Sequence, residues 1–178
     1  MRLDRDAIVG EALALLAEEG LDALSTRRLA ARLGVQAPAL YWHLGGKDEL
    51  LGMLAGALYA EARAAVPEAT DWRGWLTGFG YSLHRLFEQR RDAARLCAIA
   101  RPVSDDVDAA ATSIAAPLVA LGLSSVKAIA YQSSVISLTL GWAIFSLNGP
   151  MHAFLDRMVD IEESYRTGLE ALVRGYDA

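Results

Sequence analysis

The chain has 178 residues, of which 53% are hydrophobic and 22% charged, with a formal net charge of −5. That composition excludes a disordered chain and supplies enough apolar surface for a real core. The single cysteine, Cys97, excludes a disulfide framework and an all-cysteine metal site. The overall acidity means that a polyanionic partner must be met by a local basic patch. Residues 1–6 carry four charges and no apolar signal core follows, so a cytoplasmic location is expected.

Taken in order, the predicted elements are all helices. Ile8, Ala12, Leu15 and Leu16 recur at helical spacing and predict a first helix over 4–19, ended by Gly20. Ser25 caps a short helix over 26–33, and Gly34 makes the turn that follows. A third helix is predicted over 36–43, with Pro38 in its first turn, and Gly45-Gly46 breaks it. A fourth starts at Lys47, with Asp48 and Glu49 suited to its positive end, and stops before Pro67. Longer helices follow over 71–90, with Leu83 and Phe79 turned inward, then a short one to Ile99. Ser104 is expected to cap the next, up to Gly122, with Pro117 kinking or dividing it. The last two helices are predicted over 124–147 and 151–174. No stretch alternates like a strand.

Charge is distributed unevenly. From Ser25 to Lys47 there are four basic residues (Arg27, Arg28, Arg32, Lys47) and no acidic one. Two short helices joined at Gly34, with Leu29, Leu33 and Leu40 available to lock them inward, have the parts of a helix-turn-helix. The second helix of such a pair presents its free face to DNA, and Gln36, Tyr41, Trp42, His43 and Lys47 are available there. Such groups suit a groove lined by phosphates and thymine methyls. The opposing reading makes Tyr41 and Trp42 core aromatics and the cations a solvated face.

The runs Leu24-Ser25-Thr26-Arg27-Arg28-Leu29-Ala30, Leu33-Gly34-Val35 and Pro38-Ala39-Leu40-Tyr41-Trp42-His43 resemble the DNA-binding domain of TetR-type repressors. Arg101-Pro102 and Thr139-Leu140-Gly141 resemble pieces of the C-terminal domain of the family's tetracycline-binding members. The resemblance implies an all-α fold. It has a three-helix DNA-binding domain (1–46), a connecting helix (47–66) and a helical effector-binding and dimerisation domain (67–178). It also implies a homodimer on a palindromic double-stranded DNA operator, released by a small-molecule effector. Arg27, Gln36, Ala37, Pro38 and Ala39 then fall at base-facing positions. Thr26, Tyr41, His43 and Lys47 fall at backbone-facing ones. Alanines at 37 and 39 stand where the tetracycline-binding members have glutamine and threonine, so base readout rests more on Arg27 and Gln36.

The C-terminal half is apolar: from Ala109 to Leu155 the sole charged residue is Lys127. Residues 128–147 are uncharged and long enough to span a bilayer. Their serines, threonine and glutamine, and the lack of a cluster of basic flanking residues, favour a buried helix at a dimer seam over a membrane span. A pocket needs apolar walls and a few polar groups; Tyr81, His84, Cys97, Arg101, Gln132, Ser137, Thr139 and Trp142 are candidates, with Phe79 and Leu83 beside them. In the tetracycline-binding members, magnesium- and drug-contacting groups fall at positions held here by Arg63, Phe79, Cys97, Ser137 and Phe145, none of them retained, and the Arg101-Pro102 pair alone survives. Thiol and phenyl groups are poor magnesium ligands. The expected effector is therefore lipophilic and not magnesium-tetracycline, with no metal site and no cofactor. The three histidines lack metal spacing and no nucleophile motif is present, so catalysis is not expected. A structural helical dimer module without specific DNA binding remains the alternative.

Overall fold

The computed structural model describes residues 3–101, 107–147 and 149–176. Every regular element among them is helical: α1 (Arg5–Glu19), α2 (Thr26–Leu33), α3 (Ala37–Tyr41), α4 (Lys47–Ala64), α5 (Trp72–Gln89), α6 (Ala93–Ile99), α7 (Val107–Ala120), α8 (Ser125–Leu147), α9 (Gly149–Asp156) and α10 (Ile161–Gly175), with a short 3-10 turn at Leu21–Ala23. The chain forms two compact units, Met1–Glu61 with Leu86–Val103, and Ala62–Arg85 with Ser104–Ala178. The division read from the sequence, at 46 and 66, cuts elsewhere. It assigned α6 to the effector domain, whereas α6 packs in the N-terminal unit.

The N-terminal unit is built on leucine. Ile8, Ala12, Leu15 and Leu16 of α1, Leu29 of α2, Leu40 of α3 and Leu50, Leu54 and Leu58 of α4 are buried together with Leu96 of α6. Local chemistry sets the helix ends. Asp4 accepts from the Ala7 amide at 2.9 Å and Ser25 from the Arg28 amide at 3.3 Å. Gly34 takes the left-handed conformation (φ 69°), which closes α2 and frees the chain to turn into α3. The start of α6 clasps the far end of α1. Asp92 Oδ2 accepts from the Leu21 amide at 2.8 Å, and Arg91 Nη1 donates to the Glu18 carbonyl at 3.0 Å.

The C-terminal unit centres on a buried tyrosine. The Tyr165 hydroxyl donates to the Gly80 carbonyl at 2.8 Å and lies 3.0 Å from Thr139 Oγ1. Its ring stacks on His84 at 4.2 Å. A Cβ on Gly80 would lie 2.6 Å from Leu169 Cδ2, so this glycine sets how closely α5 and α10 approach. Burial pushes the Tyr165 phenol above its ordinary range, which keeps it a donor.

Two expectations are corrected here. Pro117 neither divides nor ends α7, which runs unbroken from Val107 to Ala120. The carbonyl deprived of a partner is that of Ser113, an exposed residue that water can satisfy. The final predicted helix is two, α9 and α10, separated near Asp160. Asp160 caps α10 by accepting from the Glu163 amide at 2.8 Å. The run Asp160-Ile161-Glu162-Glu163 is a start signal inside an otherwise helical stretch. The cap of α7 expected at Ser104 lies outside the described residues.

Candidate nucleic-acid interface and effector site

The five residues of α3 are anchored by one side chain, the fully buried Leu40. The residues around it from Gln36 to His43 reach solvent wholly or in part. Gln36 and Pro38 are exposed; Ala37, Ala39 and His43 are half-buried. Tyr41 is 56% exposed and Trp42 is 87% exposed, which rules out both as core aromatics. Tyr41 is not loose: its hydroxyl lies 3.2 Å from Thr26 Oγ1 at the start of α2, bracing the two helices. Lys47 opens α4 and is exposed, as is Arg27 on α2.

The basic stretch is less positive than its sequence. Arg28 pairs with Glu19, and Arg32 with Glu11 (2.5 Å) and Glu18. The carboxylates come from α1, so α1 neutralises two of the three arginines of α2. Arg27 makes no such pair among the described residues and keeps its charge for a partner. Glu18 is held below the usual carboxylate range by its hydrogen bond to Arg32. Sequence reading missed these carboxylates, because nothing local says which face of α1 meets α2.

The effector candidates scatter. Phe79 and Leu83 are fully buried on α5, with Phe79 stacked on Trp75 at 5.4 Å. Gln132 is buried on α8, Trp142 is half-buried on the same helix, and Arg63 is half-buried near the end of α4. Ser137 does not share the Gln132 face. Five residues further along it lies about 140° round the helix, is exposed, and donates to the Ser133 carbonyl at 2.9 Å. Cys97 and Arg101 belong to the N-terminal unit. Arg101 is exposed, and Pro102 lies outside the described residues. Cys97 is buried, with the Tyr59 hydroxyl as its hydrogen-bond neighbour, and burial pushes its thiol up to about 11. Tyr59 escaped the sequence reading because Cys97 is 38 positions away.

These features define a helix-turn-helix regulatory protein with a separate helical unit. Residues 8–54 match the family model for bacterial regulatory proteins of the tetR family. The class D tetracycline repressor of Escherichia coli is 30% identical over 99% of this chain and 90% of its own length. The class C repressor of Escherichia coli is 41% identical over 61% of this chain; there the match spans about half of the repressor, 51%. A crystal structure of a TetR variant from Acinetobacter baumannii AYE in complex with minocycline superposes with a TM-score of 0.75, at 32% identity, covering 99% of this chain and 97% of that one. The chain belongs to the TetR family of transcriptional regulators.

Proposed function

We propose that the chain is a ligand-responsive repressor that binds a palindromic operator as a homodimer and is released by a small lipophilic effector. The observation that carries the DNA half is the solvent-facing set on α3, with Trp42 87% exposed on a short helix braced to α2. A tryptophan so exposed has no packing reason to be there; a groove wall supplies one. Thr26, Tyr41, His43 and Lys47 address the backbone, and Arg27, Gln36, Ala37, Pro38 and Ala39 the base edges. In a dimer the two α3 helices engage half-sites about 34–36 Å apart.

The homodimer reading is supported by α8. It is long and apolar enough to cross a membrane by length and composition, yet 28% of its most apolar 18-residue window is buried in this chain. Val126, Phe145 and Leu147 of α8 are exposed. A second copy covers such a face without placing Ser133 and Ser137 against lipid. Magnesium-tetracycline fits the donor set poorly. At the position where the family's drug-binding members hold magnesium stands a buried, protonated thiol, and the acidic position is the exposed Phe145. Neither offers an oxygen to a hard cation.

The test is fluorescence anisotropy with the gene's own upstream DNA at two salt concentrations. A Kd of about 10⁻⁸ M or tighter, with far weaker binding to scrambled DNA, supports the reading. Arg27→Ala is expected to lose DNA while keeping the dimer. Weak binding that ignores sequence and vanishes with salt sinks it.

A further inference from the structure

His84 and Glu88 stand four residues apart on α5, so their side chains leave the same face one turn apart. Glu162 belongs to the first turn of α10. Its Oε2 lies 3.9 Å from His84 Nδ1, and the ligating atoms of the three side chains all lie within 4.8 Å of one another. The histidine side chain is 12% exposed, while both glutamates face solvent. Histidine spacing in the sequence gave no sign of this group, because its third member comes from a different helix.

Two features separate the group from a chance meeting of surface acids. The first is that the imidazole is held in place. It stacks on Tyr165 at 4.2 Å with 13° between the ring planes, and the Tyr165 hydroxyl is itself fixed by Gly80 and Thr139. The second is the isolation of Glu162 from basic side chains. Its neighbour Glu163 pairs with Arg166, whereas no lysine or arginine among the described residues pairs with Glu162. An acid in the first turn of a helix suits the dipole, but that does not place it against an imidazole and a second carboxylate. Carboxylates this close repel one another, and a cation between them turns the repulsion into attraction. A four-coordinate zinc ion holds nitrogen and oxygen ligands at about 2.0–2.2 Å, and hence roughly 3.3 Å from one another. Rotation of the exposed glutamate side chains closes the remaining distance while the stacked ring stays where it is.

We propose that His84, Glu88 and Glu162 form a binding site for a divalent transition ion of the zinc type, with the stacked imidazole as the fixed ligand and the two carboxylates closing on the ion. An imidazole nitrogen suits zinc, cobalt or nickel and disfavours magnesium and calcium, which take oxygen ligands. Three protein ligands leave a position for water. The ion ties the start of α10 to α5, so it binds the folded chain in preference to the unfolded one and stabilises it. Operator binding is not required for any of this.

The test uses the full chain without a histidine tag, freed of metal by a chelator, and the chlorides of zinc, cobalt, magnesium and calcium. Calorimetry, melting curves and cobalt absorption spectra are read on wild type, Glu88→Gln, Glu162→Gln and His84→Gln. Wild type is expected to bind one zinc ion per chain with a Kd of about 10⁻⁶ M or tighter. Zinc at a hundredfold excess over Kd raises the melting temperature by roughly 5–10 °C, and magnesium and calcium leave it unchanged. Each glutamine variant at a glutamate weakens zinc by about tenfold or more, and His84→Gln abolishes the cobalt spectrum. Glu88 and Glu162 are exposed, so without metal their variants melt within about 2 °C of wild type. Should His84→Gln fail to fold, Glu162→Gln decides. No zinc binding by wild type overturns the proposal and leaves His84 and Glu162 an ordinary ion pair. Zinc binding undiminished in Glu162→Gln overturns it as well, as does a cobalt–thiolate band, which would put the ion on Cys97. Magnesium binding as tight as zinc also overturns it, since the group is then only an acidic patch.

Discussion

Replacing Asp92 by alanine tests whether the start of α6 holds the end of α1. Asp92 Oδ2 accepts from the Leu21 amide at 2.8 Å, and Oδ1 from Arg95 Nη1 at 3.0 Å. Leu21 is buried, so its amide finds no ready water when the carboxylate goes. Leaving that donor unpaired costs about 1–3 kcal/mol. Asp92 is also the one non-glycine residue with positive φ among those described, at 58°. Aspartate tolerates the left-handed region, while alanine there costs roughly 1 kcal/mol more. The sum is about 2–4 kcal/mol, or a fall in Tm of roughly 5–12 °C for a chain of this size. Asparagine keeps both an acceptor and the backbone preference, and is expected to lose about 1 kcal/mol or less. Glycine keeps the conformation and loses the acceptor, and falls between them. Thermal and urea unfolding of the three variants read the order Asn, Gly, Ala directly. Asn and Ala variants within about 0.5 kcal/mol of one another would refute the argument. A pH arm adds a sign. The Leu21 amide, ahead of Arg95, holds the Asp92 carboxyl below its ordinary range. A depressed folded pKa contributes stability above the unfolded value of about 3.9. That contribution is lost as pH falls through the folded value, so Asp92→Asn flattens the acid side of the profile: its deficit shows at neutral pH and closes toward acid pH.

Three further outcomes are expected. Trp42→Ala leaves the unfolding free energy within about 0.5 kcal/mol of wild type, because the ring is exposed, and weakens operator binding in anisotropy; a large loss of stability would return Trp42 to the core. Glu18→Gln with Glu19→Gln weakens the ion pairs that hold Arg32 and Arg28. Affinity for scrambled DNA should rise, and the salt dependence should steepen by up to about 0.9 per arginine that reaches a phosphate; an unchanged slope means those arginines face away from DNA. Tyr165→Phe removes the hydroxyl's bond to the Gly80 carbonyl, which keeps its helical partner, and costs about 0.5–1.5 kcal/mol in urea unfolding. Thr139→Val in the Tyr165→Phe background then costs less than it does alone, since the two hydroxyls share one network.

Most of the helix-turn-helix was legible in the chain order. Its signals act within a few residues. Ser25 caps the amide three residues on, Gly34 adopts a conformation that few other residues tolerate, and Pro38 fits a first turn. The same locality explains what went unseen. Asp160 capping Glu163 was a local signal overlooked because apolar periodicity continues on both sides of it. Pro117 was judged by the bond it removes, whereas the outcome depended on whether Ser113 faces water.

The sequence by itself determined that this is an all-helical chain with a paired-helix motif and a long apolar half, since propensity, caps and periodicity are short-range properties. Tertiary structure alone decided how that chemistry is used. Arg27 keeps its charge while Arg28 and Arg32 spend theirs on α1 carboxylates, and Asp92 reaches an amide 71 positions away. Ser137 turns out to solvent while Gln132 is shut in without an acceptor. Side chains distant in sequence share no local signal; packing alone determines which charges cancel and which donors are left for a partner.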